Sequence, residues 1–426
     1  MKDATDECKE KLFKKSDEGS SSSEEEVVIT KDLTKFQKRA LQELKKLLQD
    51  ALDNNKITSI ESDHNATMWG VPLLGDKRSD SIILKFLKAT NFDVLDSYTM
   101  IKNTLLWRKE VAIDSLLGED VGDDYDNVMF NHGYDKEGYP VWYLVLEDNH
   151  SLITASDEQS LRKFLRWLIQ FAERNMRKLD FSTNCKNSYM LVIDLKSSTW
   201  FGNRDLYRVI YKFLQILQDY YPEFVTKQLW INVSWWYRYI FRAYSMVLDV
   251  WSTNETGTIA FSGQTKAIET LFKYISPAQV PVKYGGLSTD NEQDSDQPPI
   301  TDDIVSDVTI KRASTHRLEY SVAKACYVLW KLRVISWDVI YDAKFVPEME
   351  GSYITNISTP RKLTSSYKPV ISEGFRVSEP GKLVLTIHNT SSKKKQLLAR
   401  VHIGSSSSAY DQDEPSLRRW LVESDE

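Results

Sequence analysis

Thiols are scarce in this chain. Its 426 residues include only Cys8, Cys185 and Cys326, far apart and in no metal-ligand spacing. That argues against a disulfide framework and for a reducing compartment, with the cytosol fitting best. The six histidines are scattered among loops and strands. No H-E-x-x-H pattern, glycine-rich phosphate loop, G-x-S-x-G elbow or paired-cysteine signature occurs. Asp194 closes a predicted strand without a histidine or nucleophile nearby in sequence, so it reads as structural. The chain therefore offers no constellation for catalysis and no metal or cofactor site. The N-terminus, MKDATDECKEKLFKKSDEGSSSSEEE, lacks the apolar stretch of a secretory signal, so secretion through it is not expected. A transmembrane helix is not expected either, because Arg238 and Arg242 interrupt the most apolar helix-length stretch, Trp235 to Val250.

That stretch is the most informative one present. Gln228 to Val233 is short and β-prone, which suits a strand covered on both faces. Trp235 to Val250 is apolar around nearly its whole helical circumference and heavily aromatic. A helix of this kind must be buried, line an apolar cavity or touch a membrane.

Charge is unevenly distributed. Residues 1–26, 289–307 and 410–426 together carry −15 against −6 for the whole chain, leaving +9 on the remainder. A basic body suits an anionic surface of lipid or nucleic acid, although a scattered excess of solvated lysines gives the same sum.

The chain divides by pattern. Residues 1–33 read as a disordered acidic, Ser-rich tail. Residues 34–120 read as a helical unit, with an amphipathic helix from Thr34 and two short helices, Ser79 to Ala89 and Val94 to Val111, the second capped by Asp93. Over 121–288 predicted strands Tyr139 to Leu146, Tyr189 to Leu195, Gln228 to Val233 and Thr258 to Phe261 alternate with helices, which implies an α/β layer with parallel pairing. Residues 289–307 form an acidic linker. Residues 308–404, with predicted strands Tyr327 to Val334, Trp337 to Phe345, Lys382 to Asn389 and Gln396 to Ile403, read as an all-β sandwich. Residues 405–426 read as a second disordered acidic tail.

The stretches SIILKFLKATNFDV, WRKE, GYDKEGYPV, VIDLK, DYYPE, LWINV and VPVKYGGL resemble the CRAL-TRIO lipid-transfer fold with its helical N-terminal unit. WDVIYDAKF, GKLVLTIHNT and SKKK resemble a GOLD domain. That order is similar to the plant patellins. The resemblance implies a multidomain, non-enzymatic, cytoplasmic and peripherally membrane-associated lipid carrier, acting in membrane trafficking and cell-plate formation. An adaptor that transfers no lipid and recruits protein partners through the GOLD domain is the alternative; nucleic acid is not an expected partner. The resemblance also makes Trp235 to Val250 a gate helix over a lipid cavity. In phosphoinositide-binding relatives two arginines, a glutamate and a lysine hold the headgroup. Here Glu223 matches the glutamate, whereas Thr90, Phe224 and Thr258 stand where cations are expected, so phosphatidylinositol selectivity should be weak or altered. Lys85 and Lys88 lie near Thr90 but read as solvated helix residues. The expected lipid contacts are Trp142, Tyr189, Leu191, Ile231, Val233, Trp236, Phe241 and Met246, with Glu223, Thr90 and Thr258 at the headgroup. The expected membrane contacts are Trp235, Arg238 and Arg242 on the gate and Lys393, Lys394 and Lys395 in a turn between two strands.

Overall fold

Helix α1, Lys35–Asp53, begins where the sequence places a cap: Thr34 and Gln37 form a reciprocal capping box. Its apolar positions Ala40, Leu41, Leu44, Leu48 and Ala51 form the buried stripe, while Phe36 stays exposed. The computed structural model describes residues 33–54, 66–122, 125–146, 158–182, 185–196, 204–233, 258–289, 303–335, 338–349, 351–364 and 369–405. Among these residues no helix is long and apolar enough to cross a membrane. Cys326 is a buried free thiol.

The described residues fall into two compact units, one drawn from 1–131 and 137–270, the other from 132–136 and 271–426. In the first unit a two-stranded hairpin, β1 (Thr67–Met68) and β2 (Val71–Pro72), precedes α2 (Ser79–Ala89) and α3 (Val94–Glu110). The Asp93 carboxylate caps α3 as expected, accepting from the Leu95 and Asp96 amides at 3.0 and 2.9 Å. A short helix, α4 (Ile113–Gly118), leads to a five-stranded sheet in chain order: β3 (Met129–Tyr134), β4 (Pro140–Val145), β5 (Tyr189–Asp194), β6 (Val225–Ile231) and β7 (Thr258–Phe261). Strands β4 to β7 are parallel. Helix α5 (Glu158–Met176) links β4 to β5, and α6 (Arg204–Tyr220) links β5 to β6. Right-handed crossovers between sequentially ordered strands put successive helices on one face of a sheet. Accordingly α5 and α6 share one core with Trp142, Leu144, Tyr189, Leu191, Ile193 and Trp230.

Helix α7 (Ala267–Tyr274) precedes the Val280–Leu287 turn. Gly285 there has φ +93°, and a Cβ on Gly286 would lie 2.0 Å from the Val280 carbonyl oxygen, so both positions demand glycine. The sandwich follows as β8 (Ile304–Ile310), β9 (Ser314–Val322), β10 (Cys326–Ile335), β11 (Val339–Pro347), β12 (Thr355–Leu363), β13 (Ile371–Val377), β14 (Gly381–Asn389) and β15 (Lys395–Ser405). One sheet has the order β13-β10-β15-β8, the other β12-β11-β14-β9. Strand β8 begins inside the expected linker. Strand β11 alternates buried and half-buried residues, as a sandwich strand should. The core between the sheets holds a polar chain in which the Trp330 indole donates to the Tyr341 hydroxyl at 2.9 Å and that hydroxyl donates to Glu373 at 2.7 Å.

Candidate functional site

The segment from Tyr220 to Phe224, joining α6 to β6, is where most elements of the first unit meet. Tyr221 and Phe224 are fully buried around Trp69, whose ring centroid lies 6.0 Å from Tyr221 and 4.5 Å edge-on from Phe224. Phe86 of α2 and Phe181 complete the cluster. Fully burying a large ring contributes about 1.5–3 kcal/mol, so this cluster holds the hairpin and α2 against the sheet domain. The Tyr221 hydroxyl donates to Glu173 of α5 at 2.7 Å, and Arg108 of α3 grips the same buried carboxylate with two bonds. Burial and the Glu173 charge raise the Tyr221 hydroxyl well above the usual phenol range.

Glu223 is a non-glycine residue at φ +59°, a left-handed conformation that costs about 1–3 kcal/mol unless its surroundings enforce it. Two donors do so. The Lys85 ammonium and the Ser188 hydroxyl reach the Glu223 carbonyl oxygen at 3.0 and 2.9 Å, and Lys85 also donates to Ser188 at 2.9 Å. Lys85 is therefore not the solvated helix residue expected from sequence. It is 5 % exposed, with its nitrogen 4.2 Å from the Phe224 ring centroid. Burial pulls its pKa down to about 7, with Glu223 opposing the shift and Lys88 adding to it. The available signal was the run of apolar residues around it in SIILKFL, which buries α2 on nearly every side. Lys88 is exposed as expected.

Of the expected headgroup positions, Thr90 turns its hydroxyl inward. It lies 3.1, 3.4 and 3.2 Å from the carbonyls of Phe86, Leu87 and Asp93 and 2.6 Å from the Ser97 hydroxyl, closing the α2–α3 turn. Thr258 opens β7 in register with Lys227. Phe224, where the resemblance led to the expectation of a cation, belongs to the aromatic core.

The expected cavity residues divide between the two sheet faces. Trp142 is paired in register with Leu191, and its ring stacks on Tyr189 at 4.3 Å. All three lie in the core shared with α5 and α6, and Val233 reaches the same core from beyond the end of β6, where Asn232 at φ +58° breaks the alternation. Strand alternation explains this, since Tyr189 and Leu191 share a face. Ile231 faces the other way, in register with Asp194. Sequence reasoning missed the companions on that second face: Val141, Tyr143, Val145, Met190, Val192 and Leu229, all buried. Asp194 itself accepts from the Asn232 amide at 2.6 Å and the Lys196 backbone at 2.9 Å, a structural role as read from sequence. Trp235, Trp236, Arg238, Phe241, Arg242 and Met246, the gate residues, lie outside the described residues. A surface groove of about 500 Å³ along α3 and the end of α6 contains none of the expected residues.

In the second unit Lys393 and Lys394 are exposed in the β14–β15 turn. Lys395 departs from expectation. It starts β15, paired with Ile310, and is 7 % exposed, because the strand begins one residue earlier than the turn composition suggests. Among the described residues no group of histidine, cysteine and carboxylate side chains could hold a metal ion.

Four parallel strands with α5 and α6 on one face, a helical unit before them and an antiparallel sandwich after them define a CRAL-TRIO domain joined to a GOLD domain. Family profiles agree: the CRAL/TRIO N-terminal domain matches residues 40–103, the CRAL/TRIO domain 125–286 and the Patellin-1-like C-terminal GOLD domain 311–395. The chain is 43 % identical to Patellin-3 of Arabidopsis thaliana over 376 residues, covering 87 % of this chain and 76 % of that protein. It is 35 % identical to Patellin-6 of the same plant over 390 residues, covering 89 % and 90 %. It spans only 55 % of Patellin-5, also of Arabidopsis thaliana, at 42 % identity over 384 residues, 89 % of this chain. The crystal structure of Sfh5 is similar at 20 % identity and a TM-score of 0.45, covering 57 % of this chain and 84 % of that one. The chain belongs to the patellin family.

Proposed function

We propose that this protein is a peripheral lipid carrier that holds one apolar lipid against the second face of its parallel sheet and acts in membrane trafficking, with cell-plate formation as its setting. The observation that carries this reading is the asymmetry of the sheet. Both faces are apolar, but α5 and α6 pack on only one of them. Tyr143, Met190, Val192, Leu229 and Ile231 then form the floor of an acyl-chain site, and the apolar sequence from Trp235 to Val250 serves as its gate. Apolar walls with few polar groups suit a lipid better than a polar substrate. Burial raises the Tyr143 hydroxyl above the usual phenol range, keeping it neutral beside such a ligand.

Two residues at the expected headgroup positions support a reading of its selectivity. A relative 26 % identical over 273 residues, covering 61 % of this chain and 46 % of that protein, is named phosphatidylinositol/phosphatidylcholine transfer protein SFH9 of Arabidopsis thaliana. In the present chain Thr90 spends its hydroxyl on a helix turn and Phe224 lies in the core, so neither supplies a charge-assisted bond to phosphate. Preference for phosphatidylinositol over lipids with uncharged or zwitterionic headgroups is accordingly weak. Mass spectrometry of protein purified without denaturation should find a stoichiometric lipid, and tryptophan emission should change on lipid titration. A protein that never carries or binds lipid would be an adaptor instead.

A further inference from the structure

Four exposed cations separated by some eighty residues in sequence are brought together at one end of the GOLD sandwich. Strands β8 and β9 lie at the same side of their respective sheets, with β15 and β14 next to them. The connections β8–β9 and β14–β15 therefore both cross between the sheets at this end, side by side. The first carries Lys311 and Arg312, the second Lys393 and Lys394, all exposed. Register confirms the proximity, since Lys395 pairs with Ile310.

The two turns are bound to each other. Asn389, 2 % exposed, donates through its amide to the carbonyl oxygens of Lys311 and Lys393, both at 2.8 Å. Its side-chain oxygen accepts from the Ser391 amide at 3.1 Å and the Ser391 hydroxyl at 2.8 Å, and the Ala313 amide donates to the Ser391 carbonyl at 3.1 Å. One buried amide thus fixes the backbones that carry both cation pairs. None of the four side chains forms an ion pair with a described residue. Two carboxylates lie nearby in the register: Asp338, next to the Val339–Asn389 pair, and Asp307 on β8, which accepts from the Gln396 side-chain amide at 2.7 Å. Four exposed cations on two turns that are bonded together at one end of a domain make a surface complementary to a dense array of negative charge.

We propose that this composite end, comprising Lys311, Arg312, Lys393 and Lys394 as positioned by Asn389, is the electrostatic docking surface of the protein for anionic bilayers. The proposal rests on the carrier reading only in taking a bilayer as the partner. Each cation contributes about five-fold to partitioning onto an anionic surface, so either pair contributes about 25-fold and the four together several hundred-fold.

The test is sedimentation of the full chain with phosphatidylcholine vesicles, with and without phosphatidylserine, at low and high salt. Lys311→Ala/Arg312→Ala and Lys393→Ala/Lys394→Ala should each weaken binding to anionic vesicles by about 25-fold and flatten its salt dependence. Lys324→Ala/Lys382→Ala, which removes the same charge from the opposite end of the sandwich, should bind like the parent. Melting curves confirm that each variant is folded. The proposal is overturned if the Lys311/Arg312 pair has no effect, if the opposite-end pair matters equally, or if the parent binds neutral vesicles as well as anionic ones. Tight binding of a soluble inositol polyphosphate without vesicle binding would also overturn it. Lipid carried by the same preparations is measured separately. Loss of docking in a lipid-loaded variant spares the carrier reading, and cation-dependent docking by a lipid-free protein spares this one.

Discussion

Lys85→Met is the substitution whose outcome most directly tests the account of the Tyr220–Phe224 hub. In the folded protein the Lys85 amine titrates near 7, against 10.5 for the free side chain. Between those values the unfolded chain binds a proton that the folded chain does not, so stability rises as pH increases from about 7 to about 10.5. Below about pH 7 both states are protonated, and the full cost of burying the charge is present. A shift of about 3.5 units at about 1.4 kcal/mol per unit sets an upper bound near 5 kcal/mol. Methionine has similar length and no charge, and the Glu223 carbonyl keeps its bond from Ser188 at 2.9 Å, so no buried acceptor is stranded. The variant should therefore be at least as stable as the parent at pH 7. The advantage should shrink steadily toward pH 10. The assay is urea unfolding at several pH values between 6 and 10, taking the transition of the first unit from tryptophan emission and the difference between parent and variant, which cancels other titrating groups. A pH-independent difference would mean that Lys85 does not titrate between the two values. A variant markedly less stable at pH 7 would refute the reasoning, since the ammonium would then contribute as a compensated charge.

Phe224→Arg should not create a phosphate site: it would place a second cation beside Lys85 and empty the Trp69 cluster, costing about 3–5 kcal/mol, read as a lowered melting temperature. Ile231→Trp fills the second sheet face and should reduce the lipid recovered by mass spectrometry while leaving the melting of the GOLD unit unchanged; undiminished lipid would move the site elsewhere. Tyr341→Phe removes the hydroxyl between Trp330 and Glu373, stranding a buried indole donor at a cost of about 1–3 kcal/mol in unfolding of the sandwich.

The central strands of the sandwich were legible in the sequence and its edges were not. Predicted strands coincide with β10, β11, β14 and β15, which occupy the interior positions of the two sheets. The strands missed, β8, β9, β12 and β13, are the four edges. An edge strand needs few apolar residues and is protected by polar ones. Strand β12, with one fully buried residue at Leu363, shows how faint its alternation becomes. In the first unit Ser79–Ala89 and Thr258–Phe261 match their expected bounds. The site was less legible. Trp142 on β4 and Tyr189 and Leu191 on β5 are large or apolar residues of inner strands, as residues of either face must be in a sheet buried on both sides. Nothing in their chemistry indicates which face belongs to the helices. Crossover handedness does, but it acts on whole elements and leaves no mark on individual residues.

The same limit explains Lys85 and Phe224 together. A lysine in a helix reads as solvated and a phenylalanine after a glutamate reads as a lost cation, when each is considered by its own position. In space the ring lies 4.2 Å from the amine, the Glu223 carbonyl takes that amine's proton donor at 3.0 Å, and Glu223 is held at positive φ by the same contact. An arginine at 224 would compete with Lys85 for the one carbonyl and for the space between Trp69 and Phe181. The aromatic residue and the buried lysine therefore constrain each other, and changing Phe224 alone does not open this turn to a phosphate. Lys85 has to change with it: Phe224→Arg should be tolerated better in a Lys85→Met background than in the parent, since only one buried cation then remains to be accommodated.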